Sequence, residues 1–110
     1  MKIYNGIRQK TGTIVTVTRD GISSDLDPRF DLRNHSPTGF EWGYGGSGPA
    51  QLALAILVDH LSNDDVAQNL YQAFKFRVIG ALKSDSWTLS SDEIDKALQE
   101  IKDEKLSAEI

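Results

Sequence analysis

A chain of 110 residues is long enough for one domain and too short for two ordinary ones. Hydrophobic residues make up 39% and charged residues 25%, which excludes a disordered chain; the absence of cysteine excludes disulfides, thiolate metal sites and cysteine nucleophiles. The net charge is −4 with Lys and Arg scattered, which argues against non-specific nucleic-acid binding, since that draws its affinity from phosphate neutralisation.

The opening Met1-Lys2-Ile3-Tyr4-Asn5 lacks the apolar run of a signal peptide, and the longest apolar run, Leu52 to Val58, is far short of a membrane span. The expectation is a soluble, cytoplasmic, single domain over residues 1–110.

Ile3, Tyr4 and Ile7 are spaced for a short strand. Lys10-Thr11-Gly12 turns it into Thr13-Ile14-Val15-Thr16-Val17-Thr18, which is β-branched throughout and reads as a half-buried strand. Asp20-Gly21 is a hairpin signal, and a third strand through Ile22 to Leu26 follows. Pro28 stops the pairing, and Phe30 and Leu32 resume an edge strand.

From His35 to Gly48 neither helical nor strand periodicity appears. Five of the nine glycines lie between Gly39 and Gly48, beside Pro37 and Pro49. A loop this long is functional or disordered, and Phe40, Trp42 and Tyr44 argue for order.

The first helix is expected from Pro49 to about Leu61, with proline at the favoured first position. It is apolar almost all round, which makes it the buried centre of the fold. Ser62 or Asn63 caps a second helix whose inner face is Ala67, Leu70, Tyr71, Phe74, Val78 and Leu82. Trp87-Thr88-Leu89 is extended, with a short strand as the expectation. Ser90 and Glu93 form a capping box for a third helix reaching about Lys105, with Leu89 and Ile94 placed as a hydrophobic staple. Strands precede helices. The fold class is α+β: a small N-terminal antiparallel sheet against a central buried helix and two further helices.

The glycine loop runs straight into the N-terminus of the first helix, where backbone N–H groups lack partners and the dipole favours an anion. Gly45, Gly46, Ser47 and Gly48 would offer those groups. Arg33 would supply charge, Trp42 and Tyr44 flat faces, and Glu41, Asn34 and His35 hydrogen bonds. The architectural alternative is that the glycines let the loop pack tightly, that the aromatics plug the core, and that Arg33 pairs with Asp31 or Glu41.

Named catalytic and nucleotide motifs are not met. Gly43 to Gly48 spells G-x-G-x-x-G, but no hydrophobic strand precedes it and a second helix follows where a βαβ unit needs a strand. A phosphate-binding Walker loop would need Lys after its last glycine, where Pro49 stands. Pro49 also replaces the second glycine of a nucleophile elbow around Ser47. His35 and His60 are the only histidines and show no metal-ligand spacing; His60 suits the C-terminal dipole of the first helix. No catalytic residue, metal or cofactor is assigned.

The stretch from Asp31 to Leu52, with Arg33-Asn34-His35-Ser36-Pro37-Thr38-Gly39-Phe40-Glu41-Trp42-Gly43-Tyr44-Gly45-Gly46-Ser47-Gly48-Pro49 at its centre, resembles the signature of a family of small bacterial and phage proteins known only as a domain of unknown function. Leu70-Tyr71-Gln72-Ala73-Phe74-Lys75 and Trp87-Thr88-Leu89-Ser90 resemble its later pattern. The resemblance brings no activity with it, only the context of phages and their hosts. The reading is a non-enzymatic binding domain for a small anionic or nucleotide-like ligand at the loop. The alternative is a phage- or mobile-element-encoded interaction module that inhibits a host protein, through the same loop or through the acidic face of the third helix.

Overall fold

The computed structural model describes residues 1–109. Strands β1 (Lys2–Gln9), β2 (Gly12–Arg19) and β3 (Ile22–Asp25) form a meander. Helices α1 (Ser47–Leu61) and α2 (Asp64–Arg77) follow, then a single 3-10 turn (Ile79–Ala81), strand β4 (Ser86–Ser90) and helix α3 (Ser91–Glu109).

All pairings are antiparallel, in the order β3-β2-β1-β4. The β2–β3 hairpin turns on Asp20 and Gly21, both at positive φ (51° and 82°), as a twist-matched two-residue turn requires. β3 ends at Asp25, but Leu26 N–H still donates to Val15 O at 3.0 Å, so the pairing extends to the expected boundary. The Trp87 segment is a short strand, and as β4 it returns to the sheet and pairs along β1 from Ile3–Ser90 to Ile7–Ser86. The chain is therefore not strands first and helices after. Phe30 and Leu32 are not an edge strand either. They lie in a turn, Leu32 N–H bonding Arg29 O, because Arg29 takes a left-handed φ of 56° that breaks any extended run.

One face of the sheet is the core face. Tyr4, Gly6, Val15, Val17, Trp87 and Leu89 are buried there by the two-residue alternation of strands. The outer face carries Ile7 and Ile14, register partners that stay partly exposed. α1 is the centre of the fold, buried at every residue from Gly48 to Val58. It starts two residues earlier than Pro49, which occupies the third helical position; Gly46 is the N-cap.

Ser62 is not the cap of α2. It closes α1 in a left-handed conformation, and Asn63 caps α2 by accepting Val66 N–H. Of the expected inner face of α2, Ala67, Tyr71 and Phe74 are fully buried, whereas Val78 and Leu82 lie beyond the helix end, still packed on the core. The capping box forms both ways, Ser90 N–H to Glu93 Oε1 at 3.0 Å and Glu93 N–H to Ser90 Oγ at 3.2 Å. Ile94, Leu98 and Ile101 face inward, and α3 continues past Lys105. No helix among the described residues is long and apolar enough to cross a membrane.

Candidate functional site

Gln51 organises the first half of the loop. It is fully buried in an otherwise apolar stretch of α1. Its Oε1 accepts the backbone N–H of His35 (2.8 Å) and Ser36 (3.3 Å), and its Nε2 donates to the carbonyls of Pro28 (2.6 Å) and Arg33 (3.0 Å). One amide thus satisfies four backbone groups of a chain segment that has no ladder of its own. The only signal in the sequence was a lone polar residue in an apolar helix.

His35 is held by the same arrangement. Its Nε2 lies 2.8 Å from Tyr71 Oη on α2, and the two rings are 5.7 Å apart. Burial, with the charges of Arg33 and Lys75, lowers its pKa below 6.5. Arg33 is exposed and pairs with neither Asp31 nor Glu41. Arg29 takes Asp31 and Arg8 takes Glu41, so Arg33 has no ion pair or side-chain hydrogen bond among the described residues. Asn34 is exposed beside it.

The second half of the loop is pinned to the sheet. Thr13 Oγ1 donates to Phe40 O at 2.7 Å, and Arg8 Nη2 meets Glu41 Oε1 at 2.6 Å. Trp42 offers no face to a ligand. It is 1% exposed, packs edge-to-face on Trp87 at 5.6 Å, lies under the Arg8 guanidinium at 4.7 Å, and donates its indole N–H to Ser84 O. Gly48 is where the loop crosses the helix. A Cβ there would come within 2.6 Å of Glu41 Cβ and 3.2 Å of Glu41 N, so only glycine lets the two backbones approach. Glu41, Trp42 and Gly48 are therefore architectural in large part.

What remains open is the start of α1. Gly46 provides no side-chain cap, and the N–H groups of Ser47 and Gly48 have no partner among the described residues. They adjoin a cavity of about 270 Å³, between the β1–β2 turn and the loop, lined by the hydroxyl-bearing Thr13, Ser36, Thr38, Tyr44 and Ser47 and by Glu41, whose carboxylate pairs with Arg8. Tyr44 is 52% exposed at its rim. On the other flank Phe76 packs against Gly45, and Lys75 Nζ lies 4.2 Å from the Phe76 ring centre. The Lys75 stem is buried, while its ammonium, which makes no hydrogen bond or ion pair among the described residues, is not enclosed and lies over that ring.

The loop, the two tryptophans and the helix that Gln51 anchors all fall inside residues 4–100, which match the model of a family of unknown function, DUF6166. The chain belongs to that family. No curated protein and no solved structure matches it. The DUF6166 match begins in β1 at Tyr4 and ends in α3 at Glu100, so it spans the sheet, the loop and all three helices.

No group of three His, Asp or Glu side chains among the described residues is placed to hold a metal. His60 lies in the last turn of α1, as expected, with its Nε2 2.6 Å from Asp95 Oδ1 on α3. The acidic face of α3 is partly engaged by this contact and by Arg77, which bridges Glu100 and Glu104. A larger cavity, about 490 Å³, lies at the opposite end of α1 around Asp59, which sequence reasoning passed over.

Proposed function

We propose that this chain is a non-enzymatic binding domain whose loop takes a small anionic group at the N-terminus of α1. The observation that carries the reading is the uncapped helix start: two unpaired N–H groups beside a hydroxyl-rich cavity. Positive charge nearby comes from Arg33, exposed on the loop without an ion pair among the described residues, and from Lys75 on α2, whose ammonium lies over the Phe76 ring. The Glu41 carboxylate in the cavity wall is paired with Arg8. A nucleotide-like ligand would have Tyr44 alone for stacking, since Trp42 is buried.

A substitution that builds an internal anion tests this. Gly46 has a φ of −103°, which any residue adopts, and an added Cβ would come within 2.5 Å of Tyr44 Cε2, so the half-exposed Tyr44 ring must swing aside. Gly46→Asp places a carboxylate at the N-cap, where it accepts the free N–H groups and should stabilise the protein by about 1 kcal/mol. It should also remove any stabilisation by inorganic phosphate or nucleotides in a thermal-shift series. If no such compound stabilises the parent protein at millimolar concentration, the reading fails.

The second reading is an interaction module, for which the resemblance to small bacterial and phage proteins suggests a host protein as partner. It is favoured by Tyr44 and Phe76, 52% and 69% exposed, flanking Gly45 and Gly46 as an aromatic pair. A partner captured from host lysate should then be lost with Phe76→Ala. One that survives Phe76→Ala and Tyr44→Ala would bind elsewhere.

A further inference from the structure

The larger cavity opens between the start of β1, the end of β2 and the α1–α2 junction. Its apolar wall is Leu26, Ala55 and Val58, and its charged wall sets Lys2, Arg19 and Arg29 against Asp27, Asp59 and Asp64.

The carboxylates of Asp59 and Asp64 are already engaged, and Asp27 Oδ1 accepts the Arg29 backbone N–H at 2.9 Å. Asp59 Oδ2 accepts Tyr4 Oη–H at 2.6 Å, its Oδ1 accepts Arg19 Nη2–H, and its backbone carbonyl accepts Lys2 Nζ–H at 2.7 Å. Asp64 receives both Nη groups of Arg29, at 3.3 and 3.1 Å. The donors are not used up. A guanidinium has five N–H bonds, and Nε and Nη1 of Arg19 have no acceptor among the described residues. Lys2 gives its ammonium to Asp59 alone. Burial and the neighbouring Arg19 charge lower the Lys2 pKa.

The backbone is also unusual here. Among the described residues three non-glycine residues have positive φ; Ser62 has it as the C-cap of α1, and Arg29, which also lines this cavity, has it without capping a helix. Such conformations persist only where the surroundings enforce them, and they cluster at ligand sites.

We propose that this cavity binds a small organic anion, its carboxylate or phosphate head on Arg19 and Lys2 and its aliphatic part on Leu26, Ala55 and Val58. The spare donors, not the net charge of the wall, select the head group. Asp59 is a positioning residue, fixing Lys2, Arg19 and the buried Tyr4 hydroxyl around one carboxylate. This site is independent of the loop at the other end of α1.

The experiment is an NMR titration of the full chain with succinate and, separately, inorganic phosphate. The Arg19 Nε–H and the backbone amides of Ser62 and Asp64 report this cavity; the amides of Ser47 and Gly48 report the loop. Saturable shifts in the first set, weakened at least about fivefold by Arg19→Gln, are expected, that factor being roughly 1 kcal/mol of binding free energy. Lys2→Gln, whose ammonium touches only Asp59, is the second variant should Arg19→Gln lose its native spectrum. The probe that saturates first identifies the head group. Absence of saturation with both probes, or a smaller weakening in the variants, overturns the proposal whatever the Ser47 and Gly48 amides do.

Discussion

Gly6 and Trp87 are register partners across the β1–β4 ladder, and the indole of Trp87 occupies the space where any side chain on Gly6 would stand. A Cβ on Gly6 would lie 2.3 Å from Cε2 and 2.4 Å from Nε1 of that ring. Because Trp87 also packs edge-to-face on Trp42, the glycine holds together the sheet and the loop above it.

Gly6→Ala is therefore expected to destabilise the protein by about 1–3 kcal/mol, the usual effect of overpacking a rigid interior. Urea denaturation measures it. The indole N–H of Trp87 is buried without a partner, so Trp87→Phe removes an unsatisfied donor and the crowding atoms together. The double variant should recover part of the loss. Strict additivity of the two changes would mean that the clash relaxes elsewhere.

Gln51→Leu keeps the volume and the apolar character of α1 but strands two N–H groups and two carbonyls of the loop. A cost of about 2–4 kcal/mol is expected, because buried backbone groups lose partners they cannot replace. Hydrogen exchange locates the effect: the His35 and Ser36 amides should lose protection, while β1 and β2 amides keep theirs relative to global stability. Equal protection at His35 in both proteins would show that Gln51 does not hold the loop.

The contrast between these residues and the capping box shows what a sequence can disclose. Ser90 and Glu93 bond each other three positions apart, so the pattern is local and legible, as are Asp20-Gly21 and the burial of α1. The β4–β1 pairing joins residues 79 to 87 positions apart, and nothing in Trp87-Thr88-Leu89 says which strand it meets. The loop was legible as an ordered unit, but not how its residues divide between core and surface. Trp42 and Tyr44 are two positions apart and chemically alike, yet one is buried and the other exposed, because only Trp42 has Trp87 and Arg8 waiting. Asp59 stayed hidden for the same reason: its partners come from β1 and β2.

His35 gives a pH dependence of definite sign. Its folded pKa is depressed by burial and by Arg33 and Lys75, so the unfolded chain binds the proton more readily. The stabilising contribution is complete above the unfolded value of about 6.5 and is lost as pH falls from there through the lower folded value. Denaturation midpoints across that window should fall more steeply for the parent protein than for His35→Gln, which cannot titrate. Parallel slopes would remove His35 as the cause.

Arg8 is the joint between loop and sheet. It reaches Glu41 through Nε (3.2 Å) and Nη2 (2.6 Å), Asp85 through Nη1 (2.7 Å), and covers the Trp42 ring. Its side chain is about one-third exposed, as is that of Glu41, so the ion pair is screened while the stacking over Trp42 is not. Lysine keeps the charge but loses the planar fork and the stack. Arg8→Lys should therefore cost about 1 kcal/mol, most of it surviving in molar salt, with a shift in Trp42 fluorescence. Arg77, whose contacts to Glu100 and Glu104 are ion pairs between more exposed carboxylates, is the control. Arg77→Ala should change stability little, and not at all in molar salt. A silent Arg8→Lys would mean that Thr13 and the Trp42–Trp87 contact suffice to hold the loop without the guanidinium.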